Sequence, residues 1–333
     1  MNLGVTGIDS LKLGSMDVDK VMLGSTEVWS SGGGDLPTGA DLQMVGEVDS
    51  PTLAMYMSID VEGSLALVTD RYTVQMIDFL IEEMPTLRGS LTGFEEQVYG
   101  SIMSNETAIV VGNSIDNNCL NIDYTDPDNL TYLDFSLGND NRAIHKVEGG
   151  YIVMANYSTY AYNESLQLLS EVGEGGFTSC YLDGMVYLVG LDSFVNDQYN
   201  IFYIDVSDLT NIEILEEYHI VDTECFDISA YGDKLAVATE EGFRLLEIQN
   251  FNFLNDFNSG TQVLNYNQLV MIGDVVFLLI EGYFMSTDIS DPVEGIVVKS
   301  TLSNNVPDGT ELLVAGNRAY LAYDHYFAIV DIT

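Results

Sequence analysis

Short apolar runs of strand length recur along the chain, each with turn residues in front of it. They read "SLALVT" from Ser64, "TAIVVG" from Thr107, "YIVMAN" from Tyr151, "MVYLVG" from Met185, "KLAVAT" from Lys234, "VVFLLI" from Val275 and "RAYLAY" from Arg318. Such runs are too short for buried helices and rich in Val, Leu and Tyr, so each predicts a strand covered on both faces. A tight-turn pair precedes nearly every run: Glu62-Gly63, Glu148-Gly149, Asp183-Gly184, Gly232-Asp233, Gly273-Asp274 and Gly316-Asn317. Glycine there supplies the positive φ of a two-residue hairpin. The second unit carries Asn105-Glu106 instead, where Asn still adopts the left-handed conformation.

After each run comes another strand ending in an apolar–acidic pair. The pairs are Ile77-Asp78, Ile122-Asp123, Ile204-Asp205, Leu246-Glu247, Thr287-Asp288 and Val330-Asp331, with Tyr162-Asn163 in the third unit. Asp78 to Asp123 is 45 residues, and the later steps are 40, 42, 42, 41 and 43. A weaker fourth strand follows, such as "TLRGSL" or "IEILEEY". Four antiparallel strands repeated at this period predict an all-β, seven-bladed β-propeller. The last unit stops at Thr333 before any fourth strand, while "DLQMVGEV" from Asp41 has no strands of its own unit before it. Residues 41–48 are therefore predicted to complete the last blade and remove its open edge.

The leading stretch has a different period. "LGSMDV" from Leu13 and "LGSTEV" from Leu23 nearly repeat, and then the chain runs into Ser and Gly. This predicts three parts: a β-hairpin-type module over 1–30, a flexible linker over 31–40 and the propeller over 41–333. A module of thirty residues has too little core to fold alone. Leu13, Val18, Leu23, Val28 and Trp29, the chain's single tryptophan, are accordingly its expected docking or oligomerisation interface.

Composition narrows the partners. Asp and Glu number 52 against 10 Lys and Arg, a net charge of −42. A field of that sign opposes nucleic acid and anionic membranes, which are bound through basic side chains. No apolar run approaches the length of a membrane span. "MNLGVTGIDS" has neither the basic nor the apolar region of a secretion signal. Cys119, Cys180 and Cys225 are far apart and form no metal-ligand motif, which predicts small buried core residues. His145, His219 and His325 occupy unrelated places in their units, as do Arg71, Arg88, Arg142, Arg244 and Arg318. No catalytic motif appears, and the expectation is a protein with no catalytic residues, no metal site and no cofactor.

The recurring acids Asp78, Asp123, Asp205, Glu247, Asp288 and Asp331 stand where a carboxylate bonds the backbone of a turn. Calcium ligation at "DYTDPDN" from Asp123 is the alternative reading. Tyr72, Phe194, Tyr199, Tyr283, Tyr323 and Tyr326 are expected in loops, as ordinary anchors that hold the loops down; platforms for sugars or proteins are the alternative reading.

Two resemblances add to this. "ALVTDRYTVQMID", "YIDVSDL", "STDISDP" and "AIVDIT" resemble the LVIVD-repeat propellers over about residues 41–333; Asn163 and Glu247 depart from that pattern. "VDKVMLGSTEVWS" resembles a short segment at the N-termini of tailed-bacteriophage virion proteins. The second resemblance implies a docking tag, trimeric by preference, ahead of an exchangeable display domain. The expected function is then a structural virion protein: a head, neck or tail fibre, appendage or decoration subunit on the outer surface of the particle. It would join other virion proteins through residues 1–30 and meet a host surface glycan or protein through the propeller. The alternatives are a bacterial surface or secreted binding propeller and a carbohydrate-active propeller enzyme.

Overall fold

The computed structural model describes residues 20–23, 26–30, 38–39, 42–49, 56–70, 72–92, 97–113, 119–137, 140–192, 198–220, 225–240, 242–258, 268–280, 283–292, 295–303, 309–323 and 326–333. Among them are seven four-stranded antiparallel sheets and one separate two-stranded sheet. Blade 1 spans Tyr56–Glu62, Leu65–Asp70, Thr73–Asp78 and Thr86–Thr92. Blades 2 to 6 repeat that order from Gln97, Asn141, Thr178, Cys225 and Gln268. Blade 7 takes Gly309–Ala315, Arg318–Tyr323 and Tyr326–Asp331 from the end of the chain and Gln43–Asp49 from its beginning. The predicted closure is present: Met44 stands opposite Val330, Glu47 opposite Ala328 and Asp49 opposite Tyr326.

The first strand of every blade lies against the first strand of the next, and that of blade 7 lies against blade 1, so the ring is continuous. The second strand of each blade is covered by a neighbour on both sides, which is why its middle is apolar; all six residues of Val275–Ile280 are buried. The outermost strand is exposed and mixed, as in Thr131–Phe135. Seven apolar clusters fill the wedges, one between each pair of neighbouring blades. Phe327 is fully buried between blades 7 and 1, with Tyr320 and Phe79 stacked and tilted against it. The turns take the backbone that their residues favour. Gly63 has φ 61°, as a type II′ hairpin needs at its first position, while Asp183 and Gly184 are both positive, as in type I′.

Strands run further than the apolar runs indicate. Tyr199, Tyr283, Tyr323 and Tyr326, expected in loops, are strand residues, because the ladder continues until the chain must turn. Tyr72 alone of that set sits in a described bend, 49% exposed; Phe194 lies outside the described residues.

Upstream of the ring, Lys20–Leu23 pairs with Thr26–Ser30, placing Val21 opposite Trp29 and Leu23 opposite Thr26. Val28 shares the second of these strands; Leu13 and Val18 lie outside the described residues. Gly39 is hydrogen-bonded to the propeller: its N–H donates to Ile332 O at 3.2 Å and its carbonyl accepts from the Ser286 hydroxyl.

Candidate functional site in the central channel

The seven first strands enclose a channel of about 770 Å³. All of them end at a tight turn, so residues at equal distance from their last residue stand at one height. Four positions back are Ser58, Gly100, Ala143, Thr178, Asp227, Gln268 and Glu311. Two positions back are Asp60, Ile102, His145, Cys180, Ser229, Val270 and Leu313. All fourteen line the channel. β-Bulges break the ladder near one mouth of the channel in blades 1, 2, 3, 5 and 7, which re-aims side chains there. Tyr99, Arg142, Phe177 and Phe226 line that mouth.

A first strand is the inner edge of its sheet, so it carries N–H groups with no partner strand. The preceding blade supplies acceptors. Asp227 Oδ2 accepts the N–H of Leu269 at 2.9 Å, and the Ser229 hydroxyl accepts that of Met271 at 3.0 Å. Asp60 Oδ2 accepts the N–H of Met103, and Glu62 Oε1 accepts that of Asn105 at 2.9 Å. Side chains also bond to each other across blades: Ser58 with Ser101 at 2.7 Å, His145 Nε2 with the Ser179 hydroxyl at 2.8 Å, and Thr178 Oγ1 with Asp227 Oδ1 at 2.8 Å. These contacts tie neighbouring blades together where no ladder does.

Enclosure by protein governs the channel's ionisation. Burial pushes the carboxyls of Asp60 and Asp227 up to about 6, against the hydrogen bonds they accept. Burial also pulls His145 down to about 4, leaving a neutral imidazole at physiological pH. Glu311 is raised well above the ordinary carboxylate range, first by burial and then by repulsion from Asp227. Cys180, expected in the core, is half-buried and lines the channel; burial raises its thiol, as it does the buried thiols of Cys119 and Cys225. These thiols are protonated and inert as nucleophiles.

The repeat acids lie away from the channel, at the ends of the third strands. Asp78 Oδ1 accepts the N–H of Leu80 at 2.9 Å, Asp123 that of Thr125 at 2.9 Å, and Asp205 that of Ser207 at 2.9 Å. Asp288 accepts from Ser290 at 2.8 Å and Asp331 from Thr333 at 3.0 Å. Asn163 makes the same turn with Ser165 at 2.9 Å, whereas Glu247, one carbon longer, accepts from the Asn252 side chain at 3.0 Å. Three of these acids also meet cations: Asp78 with Arg88, Asp288 with Lys299 and Asp331 with Arg318. In the stretch from Asp123, carboxylate oxygens of Asp123 and Asp126 accept N–H groups of Thr125 and Asp128. Among the described residues no group of three His, Cys, Asp or Glu is placed to hold a metal ion.

The two described histidines stand apart, His145 facing the channel and His219 on the outer strand of blade 4; His325 lies outside the described residues. Asp60, Asp227 and Glu311 were not singled out by sequence reasoning. Their signal was an acid at an alternating position within an otherwise apolar first strand, as in "MSIDVEG" and "GTELLVAG".

No family model matches the chain, and no curated protein matches it in sequence. Solved structures do resemble it. The WD40 domain of Neurospora crassa Pan2 aligns with a TM-score of 0.68 at 10% identity, over 88% of this chain and 96% of that one. The computationally designed protein Ika8 aligns with a TM-score of 0.58 at 10% identity, over 87% of this chain and all of that one. At such identity the likeness shows the propeller fold alone.

Proposed function

We propose that this chain is a structural and binding protein of a tailed-phage particle, docked through residues 1–30 and displaying the propeller outward. One observation carries the reading: the ring closes on its own strand at Gln43–Asp49, and Leu42 just before that strand belongs to the core. The hairpin at Lys20–Ser30 is a sheet of its own, so its strands remain available to a partner or to further copies. The charge of −42 keeps displayed propellers apart and disfavours adsorption to nucleic acid. A glycan or protein of the host surface is the proposed target of the displayed ring. The resemblance of residues 7–30 to virion docking segments supports the same reading, while that of the repeats to LVIVD propellers bears on the scaffold alone.

Deleting residues 1–30 tests it. The truncated chain should keep its β circular dichroism and its thermal midpoint but fail to enter particles assembled in its presence. Incorporation at the full-length level would overturn the docking role.

A further inference from the structure

On one side of the channel, three adjacent blades present Asp227, Gln268 and Glu311 at the same height. Across from them, blades 1, 2 and 3 present only Ser58, Gly100 and Ala143 at that height. Short side chains facing long polar ones leave room in front of the acceptors. Asp227 already accepts from Thr178 and Leu269. The Glu311 carboxyl accepts no hydrogen bond among the described residues, although the residue is half-buried and lines the channel. Every other carboxylate on these inner strands, Asp60, Glu62 and Asp227, accepts an N–H from the next blade. Glu311 alone lacks that structural task.

We propose that the channel is a binding site for an alkylammonium group, received by Glu311 and oriented by Gln268, with Asp227 contributing charge. An ammonium has three N–H donors and no acceptor, which suits acceptors on adjacent blades. The same acceptors suit a bare metal ion poorly, since no three described acid, His or Cys side chains converge. The alkyl body would run toward the mouth, between Tyr99, Phe177 and Phe226. Arg142 does not block it, being held 4.3 Å over the Tyr99 ring and bonded to Asn156 at 2.8 Å. The inference is independent of where the chain is anchored.

Calorimetry on the full chain tests it with two probes, putrescine as a free amine and Nα-acetyl-lysine amide as a protein side chain; the stronger binder identifies the source. Both amines should bind, and butanol, of similar length but uncharged, should not. Affinity should rise with pH as Glu311 gives up its proton, and the heat should depend on buffer because binding releases that proton. Glu311→Gln, which forfeits no hydrogen bond and should fold, is expected to weaken binding roughly 10- to 100-fold. Gln268→Leu should weaken it less. Absence of heat from both amines at millimolar concentration, equal affinity in Glu311→Gln, or tighter binding of calcium than of either amine would each overturn the assignment.

Discussion

Replacing Asp60 by Asn should make the protein's stability respond differently to pH, by an amount the channel geometry sets. Asp60 sits on the first strand of blade 1 and accepts the N–H groups of Met103 and Val61. Burial nonetheless raises its carboxyl from the ordinary 3.8 to about 6. A carboxyl raised on folding holds its proton in the native state over a range where the unfolded chain has lost it. Its contribution is therefore fully present below 3.8 and is lost as pH climbs through about 6. The difference between 3.8 and about 6 is worth about 3 kcal/mol. Asn cannot titrate, and its amide accepts one N–H but leaves the other facing an NH₂, a cost of about 1–3 kcal/mol that does not depend on pH. The mutant should thus be the less stable protein in acid, with the gap closing by about 3 kcal/mol between pH of roughly 3.5 and 7. His145, which gains stability as pH rises from about 4, titrates in both proteins and cancels in the difference. Urea midpoints followed by far-ultraviolet circular dichroism provide the measurement, repeated at high salt to screen the surface charge. A gap constant with pH, or one that vanishes with salt, would mean that Asp60 is solvated and that the channel does not enclose its charges.

Five other outcomes follow from the packing. Phe327→Ala should cost about 3–5 kcal/mol, read from the urea midpoint, because a fully buried ring is lost between blades 7 and 1. Removing residues 1–49 should abolish cooperative unfolding and promote aggregation, since Tyr326–Asp331 then becomes an open edge; size-exclusion chromatography would show it. Gly46→Ala should destabilise by about 1–3 kcal/mol, because a Cβ there would stand 1.9 Å from the carbonyl oxygen of Glu82. Arg318→Ala removes a cation that bonds Glu82 and Asp331, both at 2.8 Å, and should lower the thermal midpoint by a few degrees. Arg88→Ala removes a cation that bonds Asp78 at 2.8 Å and the exposed Asp128 at 2.7 Å, and should lower the midpoint by less than Arg318→Ala, because water screens its charges more.

Much of the architecture was legible in the residues because a blade is a local object. The run from Val275 to Ile280 is apolar at every position, which is the record of two covering neighbours, and Gly273-Asp274 just before it marks the turn. The orphan strand at the start and the missing strand at the end predicted each other, since an unpaired edge in a closed ring has one remedy. Strand ends were less legible. Tyr283 and Tyr326 read as loop residues because a polar or aromatic end to a strand looks like a turn until its ladder partner is known.

The chain by itself determined the number of blades, their strand order, the turn chemistry and the closure, all of which arise from residues within one repeat of about forty or from its two ends. The ring decided which few of 52 acids matter together. Asp227 and Glu311 come from blades 5 and 7, and the wall opposite them is made by Ser58, Gly100 and Ala143 from blades 1 to 3. No local period records that meeting. Each first strand alternates identically whether its inward residue faces a filled space or an empty one. Only when seven strands share an axis do their side chains compete for the same volume and exclude the same water. The raised carboxyls and the unused acceptor on Glu311 are consequences of that enclosure.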